Sequence, residues 1–258
     1  MAGKKSRFIA FAQKGVIAVL TLDRPEKRNA VNDGMMRELE ALLGDLPDNV
    51  KAVVLAGKGP HFCAGLDLAE HKDRTPFAGL QHSRFWHRVL DRLQFGGRPV
   101  IAALSGAVVG GGLEIAAAAH IRVADPTAFY QLPEGKRGIF VGGGASVRVS
   151  RLIGAGRVTE MMLTGRSIDA DEGQRLGLSH YRVVKGKSLA QAMILAKTVS
   201  GNAAISNYLI LNALPRIEGM AADAGLFTES LAAALSQTSD EARRGIEAFL
   251  AKKPARFD

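Results

Sequence analysis

Residues 99–124 read PVIAALSGAVVGGGLEIAAAAHIRVA, a strand, a glycine-rich turn, a helix and a second strand in close succession. Pro99–Leu104 is an apolar run of strand length. Ser105–Gly112 reads as a glycine-rich turn, Leu113–Ala119 as an alanine-rich helix, and Ile121–Val123 as the next short strand. Strands that alternate with helices through such crossovers make a largely parallel α/β layer. Gly110, Gly111 and Gly112 stand just before the helix, where backbone N–H groups and the positive end of the helix dipole are exposed. Glycine also lets a ligand approach the backbone closely. Such a turn can hold a developing oxyanion or a phosphate, or simply pack a helix closely on a strand. Its spacing matches neither a GxxxxGK[ST] phosphate loop nor a GxGxxG dinucleotide turn. Glu114 is the one formal charge between Arg98 and Arg122. It either satisfies free N–H groups of a first helical turn or is placed for a chemical task.

Outward from this stretch the alternation continues. Val16–Leu22 is a strand that ends in the Asp23-Arg24-Pro25 turn. Asn32 caps a helix over about 33–44, closed by Gly44. Lys51–Ala56 is a buried strand, His61–Leu68 a loop, and residues 80–95 have the apolar spacing of a helix. Ala128–Tyr130 and Tyr181–Val184 read as short strands. Helices are expected over about 145–152, 156–163, from Asp169 or Asp171 to Gly177, and then over about 188–200, 203–213, 220–235 and 239–251. The composition shift near residue 187 divides an α/β core, 1–187, from a helical C-terminal part, 188–258.

The 258 residues carry 34 Lys and Arg against 25 Asp and Glu, a net charge of +9, with 47% apolar residues. That excludes a disordered or fibrous chain. The basic balance suits either a solvated surface or a polyanionic ligand such as a phosphorylated cofactor. Only Lys4–Lys5 and Lys252–Lys253 form basic pairs near the ends, and aromatic residues are not interleaved as in RNA-recognition folds, so nucleic-acid binding is disfavoured. The glycines within 99–121 argue against a membrane span, and the N-terminus lacks a signal-peptide core. A single cysteine forms no internal disulfide, and a cytoplasmic protein is expected.

Two further segments carry candidate chemistry. Glu134 lies in FYQLPEG (129–135), either as a solvated loop residue paired with Lys136 or Arg137, or as a second carboxylate beside Glu114 that divides acid and base work with it. FCAGLD (62–67) follows a strand and offers N–H groups at the sheet's carboxyl edge. Cys63 sits between apolar neighbours and reads as a buried, inert thiol. Asp67 reads as a local cap or ion-pair partner, and Phe77, Trp86 and Phe140 as core. His61, His71, His82, His87, His120 and His180 show no metal-binding spacing, so no metal site is expected.

Taken together and in this order, LDRPEKRNAV (22–31), HFCAGLDL (61–68), residues 99–124 and LPEGKRGIFVGGGASVRVSRLIG (132–154) resemble the enoyl-CoA hydratase/isomerase, or crotonase, superfamily over nearly the whole chain. The third and fourth segments are most similar to those of methylthioacryloyl-CoA hydratases. The resemblance implies a spiral of ββα turns with a C-terminal helical trimerisation region, assembled as a homotrimer or homohexamer. It implies an acyl-CoA substrate, with no cofactor besides the substrate's own CoA. Carried over by position, Leu66 and Gly111 supply the two backbone N–H groups of an oxyanion hole, and Glu114 and Glu134 are the two catalytic carboxylates. CoA lies along Arg24, Lys27, Arg28, Ala30, Ala64, Gly65, Asp67 and Leu68. Two carboxylates favour hydration of a short or medium enoyl-CoA in fatty acid metabolism. The alternatives are isomerisation, C–C lysis or thioester hydrolysis within the same superfamily, and RNA binding. Val141 stands where the family often has proline, and Lys136-Arg137 is more polar than usual, which bears on acyl length.

Overall fold

The computed structural model describes residues 7–70 and 74–257, so Lys4, Lys5 and His71 lie outside the described residues. In chain order the elements are β1 (Ile9–Lys14), β2 (Ile17–Leu22), α1 (Asp33–Gly44), β3 (Ala52–Gly57), α2 (Pro76–Phe95), β4 (Val100–Leu104), β5 (Ala107–Val109), α3 (Gly111–Ala118), β6 (Ile121–Ala124), β7 (Phe129–Gln131), α4 (Ala145–Ile153) and α5 (Ala155–Thr164). Then follow β8 (Ile168–Asp169), α6 (Ala170–Leu176), β9 (Tyr181–Arg182), α7 (Ser188–Ser200), α8 (Ala204–Asn212), α9 (Leu214–Ile217), α10 (Ala222–Gln237) and α11 (Asp240–Leu250).

The larger sheet runs β1-β2-β3-β4-β6-β9, and only the β1–β2 pair is antiparallel. Its central strands are continuous apolar runs because both faces are covered. Ala18, Leu20, Leu22, Val53, Leu55, Val100, Ala102 and Leu104 enter the main core. The alternate residues Ile17, Val19, Ala52, Val54, Ile101 and Ala103 pack with Ala192 and Ala196 of α7. Helix α7 therefore completes the core, and the composition shift at 187 marks a change of element type rather than a packing boundary.

A second sheet, β5-β7-β8, is prolonged by single parallel bridges, Cys63 to Val108 and Val31 to Leu66. The chain thus spirals, each turn giving one strand to the larger sheet, one short strand or bridge to the smaller, and then a helix. This is the ββα spiral that the resemblance implies. Three strands were not legible, one of them the two-residue β8, which runs directly into α6. β1 is an edge strand with only Ile9 buried. β5 lies inside the stretch expected to be all turn: Gly106 (φ 52°) and Gly110 (φ 50°) bend the chain on either side of it, and Ala107–Val109 are buried between.

Local signals held where the side chain makes the structure. Asn32 Oδ1 accepts from the Met35 N–H at 2.9 Å at the start of α1. Helix α2 begins earlier than its apolar spacing predicts, at Pro76, with Thr75 Oγ1 accepting from the Ala78 N–H. The missing first turn, Pro-Phe-Ala-Gly at 76–79, has Pro76 and Phe77 exposed, so it adds nothing to the buried apolar stripe.

Candidate active site

The site gathers around the N-terminus of α3. Gly110 is its N-cap and Gly111 its first helical residue, so the Gly111 N–H has no partner within the helix. The loop after β3 lies alongside. A Cβ on Gly111 would stand 3.5 Å from the Leu66 nitrogen, and one on Gly65 3.6 Å from the Gly111 nitrogen. The bridge to Val31 uses the Gly65 carbonyl and the Asp67 N–H, both at 2.8 Å, and leaves the Leu66 N–H outside it. The two expected oxyanion donors are therefore neighbours. The close-packing explanation for the glycine run also holds: a Cβ on Gly112 would meet the Cys63 carbonyl oxygen at 2.4 Å.

Glu114 is buried, and it satisfies a helix terminus, though not its own. Its Oε1 accepts from the Gly143 N–H at 2.7 Å and the Ala145 N–H at 3.1 Å, at the start of α4. Burial pushes its pKa up; those N–H groups and the nearby Arg148 work in the opposite direction. Arg148 also holds the Gly143 carbonyl at 3.1 Å while its other nitrogens bond Gln94 and Asp91. Ser83 Oγ donates to the Gly142 carbonyl at 2.6 Å. Helix α2 thus fixes the 142–144 loop that carries the donors to Glu114.

Glu134 is not the solvated, ion-paired residue that its isolated sequence allows. It is buried, Oε2 has no hydrogen-bond partner among the described residues, and Lys136 and Arg137 are exposed. Burial pushes its pKa up to about 7, with the Glu114 charge adding to the rise. A Cβ on Gly110 would stand 3.0 Å from Glu134 Oε1, so this carboxylate lies against the N-cap of the helix that carries Glu114. The sequence separation of 20 between Glu114 and Glu134 is closed in space through the smaller sheet, where β5 leads into α3 and β7 into the Glu134 turn.

A cavity of about 350 Å³ opens from Leu66 past Glu114, with Trp86, Ile139 and Phe140 among its walls and Arg74, His82 and Ser83 as further polar lining. Trp86 is buried and its Nε1–H has no partner among the described residues. Phe77 and Phe140, expected in the core, are 66% and 70% exposed, and Phe140 instead edges the cavity. Val141 is buried outside the cavity lining.

The segments expected to hold CoA are stitched together. The Ala64 N–H donates to the Arg28 carbonyl at 3.0 Å. Arg24 donates to the Ala30 carbonyl at 2.7 Å and pairs with Asp67 at 3.0 Å, so both side chains are engaged within the protein. Lys27 and Arg28 are exposed, Ala30 and Ala64 half-buried, Gly65 buried at φ 100°, and Leu68 lines the cavity. Asn29, within the 27–30 span expected along CoA, instead organises this turn: wholly buried, it bonds the Lys58 and His61 carbonyls and the Arg24 N–H. Cys63 is buried, its thiol pushed up to about 12 by burial.

The spiral of ββα turns with its α7–α11 helices is the crotonase fold. Residues 12–258 match the enoyl-CoA hydratase/isomerase family, and the chain belongs to that family of enzymes. It is 32% identical to the short-chain-enoyl-CoA hydratase of Clostridium acetobutylicum, over 95% of each chain. It is also 32% identical to the 2,3-dehydroadipyl-CoA hydratase of Escherichia coli, over 98% of each. The crystal structure of a candidate enoyl-CoA hydratase from Rhodopseudomonas palustris superposes with a TM-score of 0.93 at 49% identity, covering 97% of this chain and 98% of that one.

Proposed function

We propose that the protein adds water across the 2,3 double bond of a short- or medium-chain enoyl-CoA, methylthioacryloyl-CoA being one such substrate. The observation that carries this reading is the pair of buried carboxylates at the α3 N-terminus, beside two adjacent backbone N–H groups. Glu114 accepts two N–H bonds on one oxygen, so its anion is the better solvated of the two. Glu134 has an unpartnered oxygen and holds the proton. Glu114 takes a proton from water as its oxygen bonds to C3, and Glu134 gives a proton to C2. The negative charge that builds on the thioester oxygen meets the Leu66 and Gly111 N–H groups. Loss of one such donor typically costs about 10²–10³ in rate. The proton passes back from Glu114 to Glu134 before the next turnover, so the pair titrates as a unit.

Lys27 and Arg28 would meet the phosphates of CoA, and Ala30 and the 64–68 backbone its pantetheine arm, with no cofactor beyond the substrate's own CoA. Among the described residues no helix is long and apolar enough to cross a membrane. Leu226, Phe227, Leu231 and Leu235 are exposed on α10, which supports self-association through residues 188–258 as a trimer or hexamer. The single buried cysteine suits the cytoplasm. The test is incubation with crotonyl-CoA and, separately, methylthioacryloyl-CoA, following enoyl-thioester absorbance and released CoA together. Absorbance loss without free CoA is the expected result for a plain hydratase. Loss with free CoA from the sulfur substrate alone would indicate hydration followed by thioester cleavage. Silence on both would redirect the assignment to isomerisation or lysis.

A further inference from the structure

The cavity beside Glu114 carries polar groups that water addition does not use. Arg74 and His82 line it together with the apolar Leu66, Trp86 and Phe140. Both polar residues converge on Asp33, at the start of α1: His82 Nε2 lies 2.8 Å from Oδ1, and Arg74 Nη2 donates to Oδ2 at 3.0 Å. Asp33 therefore holds one edge of the guanidinium fork in place. The Arg74 Nε and Nη1 groups have no partner among the described residues. The Arg74 and Asp33 side chains keep 24% and 34% exposure, so the pair is reached by solvent rather than sealed into the core. In the adjoining hollow, Arg37 and Arg88 join Arg74, and Asp33 is the one carboxylate lining it among the described residues.

We propose that this cavity selects enoyl-CoA thioesters whose acyl chain ends in a carboxylate, with Arg74 as the residue that recognises it. The inference rests on the hydratase reading for the place of the thioester and deepens it by naming the substrate class. The thioester end is fixed at Leu66 and Gly111. The reacting carbons lie against Glu114. Arg74 lines the same cavity as Leu66 and Glu114, so an acyl tail that fills it comes within reach of the guanidinium. A planar carboxylate can accept two parallel N–H bonds from the remaining edge of the fork. A methyl-ended chain would cover those donors and return no hydrogen bond.

The test compares hex-2-enoyl-CoA with hex-2-enedioyl-CoA for hydration, and the saturated, unreactive hexanoyl-CoA with adipoyl-CoA for equilibrium binding. The expected preference for the carboxylate-ended ester is about tenfold or more in kcat/KM and in affinity, as a charge-assisted pair gives. Arg74→Gln should collapse both ratios toward one. Arg74→Lys, which keeps the charge at Asp33 but loses the fork, should leave an intermediate ratio and guards against a folding defect in the first variant. Equal handling of the two esters, preference for the alkyl ester, or ratios unchanged in both variants would overturn the proposal. If no ester is hydrated yet adipoyl-CoA binds more tightly through Arg74, the hydratase reading fails and the recognition stands. If both esters are hydrated without preference, the reverse holds.

Discussion

Glu134→Gln separates what the site does for chemistry from what it costs the fold. Glu134 is buried with an unpartnered oxygen, and its pKa rises from 4.5 to about 7. A carboxyl raised on folding binds more protons in the native than in the unfolded chain between those two values. Its effect on stability is therefore absent below pH 4.5 and grows as pH rises through 7, where the native carboxylate is ionised against its surroundings. The rise corresponds to about 3 kcal/mol at full ionisation. Glutamine has the same shape without the charge. Urea unfolding of wild type and Glu134→Gln, at one fixed protein concentration, should give closely similar stabilities at pH 4.5. At pH 8.5 the variant should be more stable by up to about 3 kcal/mol. The same variant should lose most hydration while still binding acyl-CoA. A stability difference independent of pH, or one that favours wild type at pH 8.5, would refute the argument that Glu134 is buried at the expense of the fold. Unchanged turnover would remove it from the mechanism.

Other outcomes follow from the same geometry. Wild-type hydration should fall as pH rises through about 7, as the Glu134 proton is lost, and this limb should vanish in Glu134→Gln; a flat profile through that range would count against an acid role. Glu114→Gln should cut kcat by about 10² or more with CoA-ester affinity largely kept, read by single-turnover kinetics and calorimetry. Gly143→Ala puts a methyl 2.6 Å from Glu114 Oε2 and should lower kcat more than it raises KM. Arg24→Ala removes the Asp67 pair and the Ala30 bond; it should destabilise the fold by about 1–3 kcal/mol and raise KM through the loosened 64–68 loop, measured by chemical denaturation and steady-state kinetics. Cys63 should resist iodoacetamide at pH 8 in the native protein and react on unfolding, followed by mass spectrometry.

Features that depend on neighbours along the chain were legible before folding. The runs at 17–22, 52–56 and 100–104 alternate between two cores, and a strand buried on both faces has to be apolar throughout. Asn32 and Asp169 each bond an N–H three residues on, so those helix starts were legible. The glycine run at the start of α3 marked the turn because the Cys63 carbonyl oxygen, 2.4 Å from where a Cβ on Gly112 would stand, leaves no room for a side chain there. Four motifs in order identified the family, and with it the candidate carboxylates. Tertiary structure decided the rest. Strand β1 is held by pairing to β2 rather than by burial: of its residues only Ile9 is buried, so the short apolar stretch at 8–12 does not mark a core strand. The donors to Glu114 come from residues 143 and 145, and Arg148 holds the Gly143 carbonyl behind them. Whether Glu134 is a solvated or a buried acid depends on burial against α3, not on Lys136 and Arg137 beside it. Arg74, His82 and Asp33 meet across about forty to fifty residues of chain. Desolvation and charge pairing act through space, so their effects on these groups are fixed only once the spiral has closed.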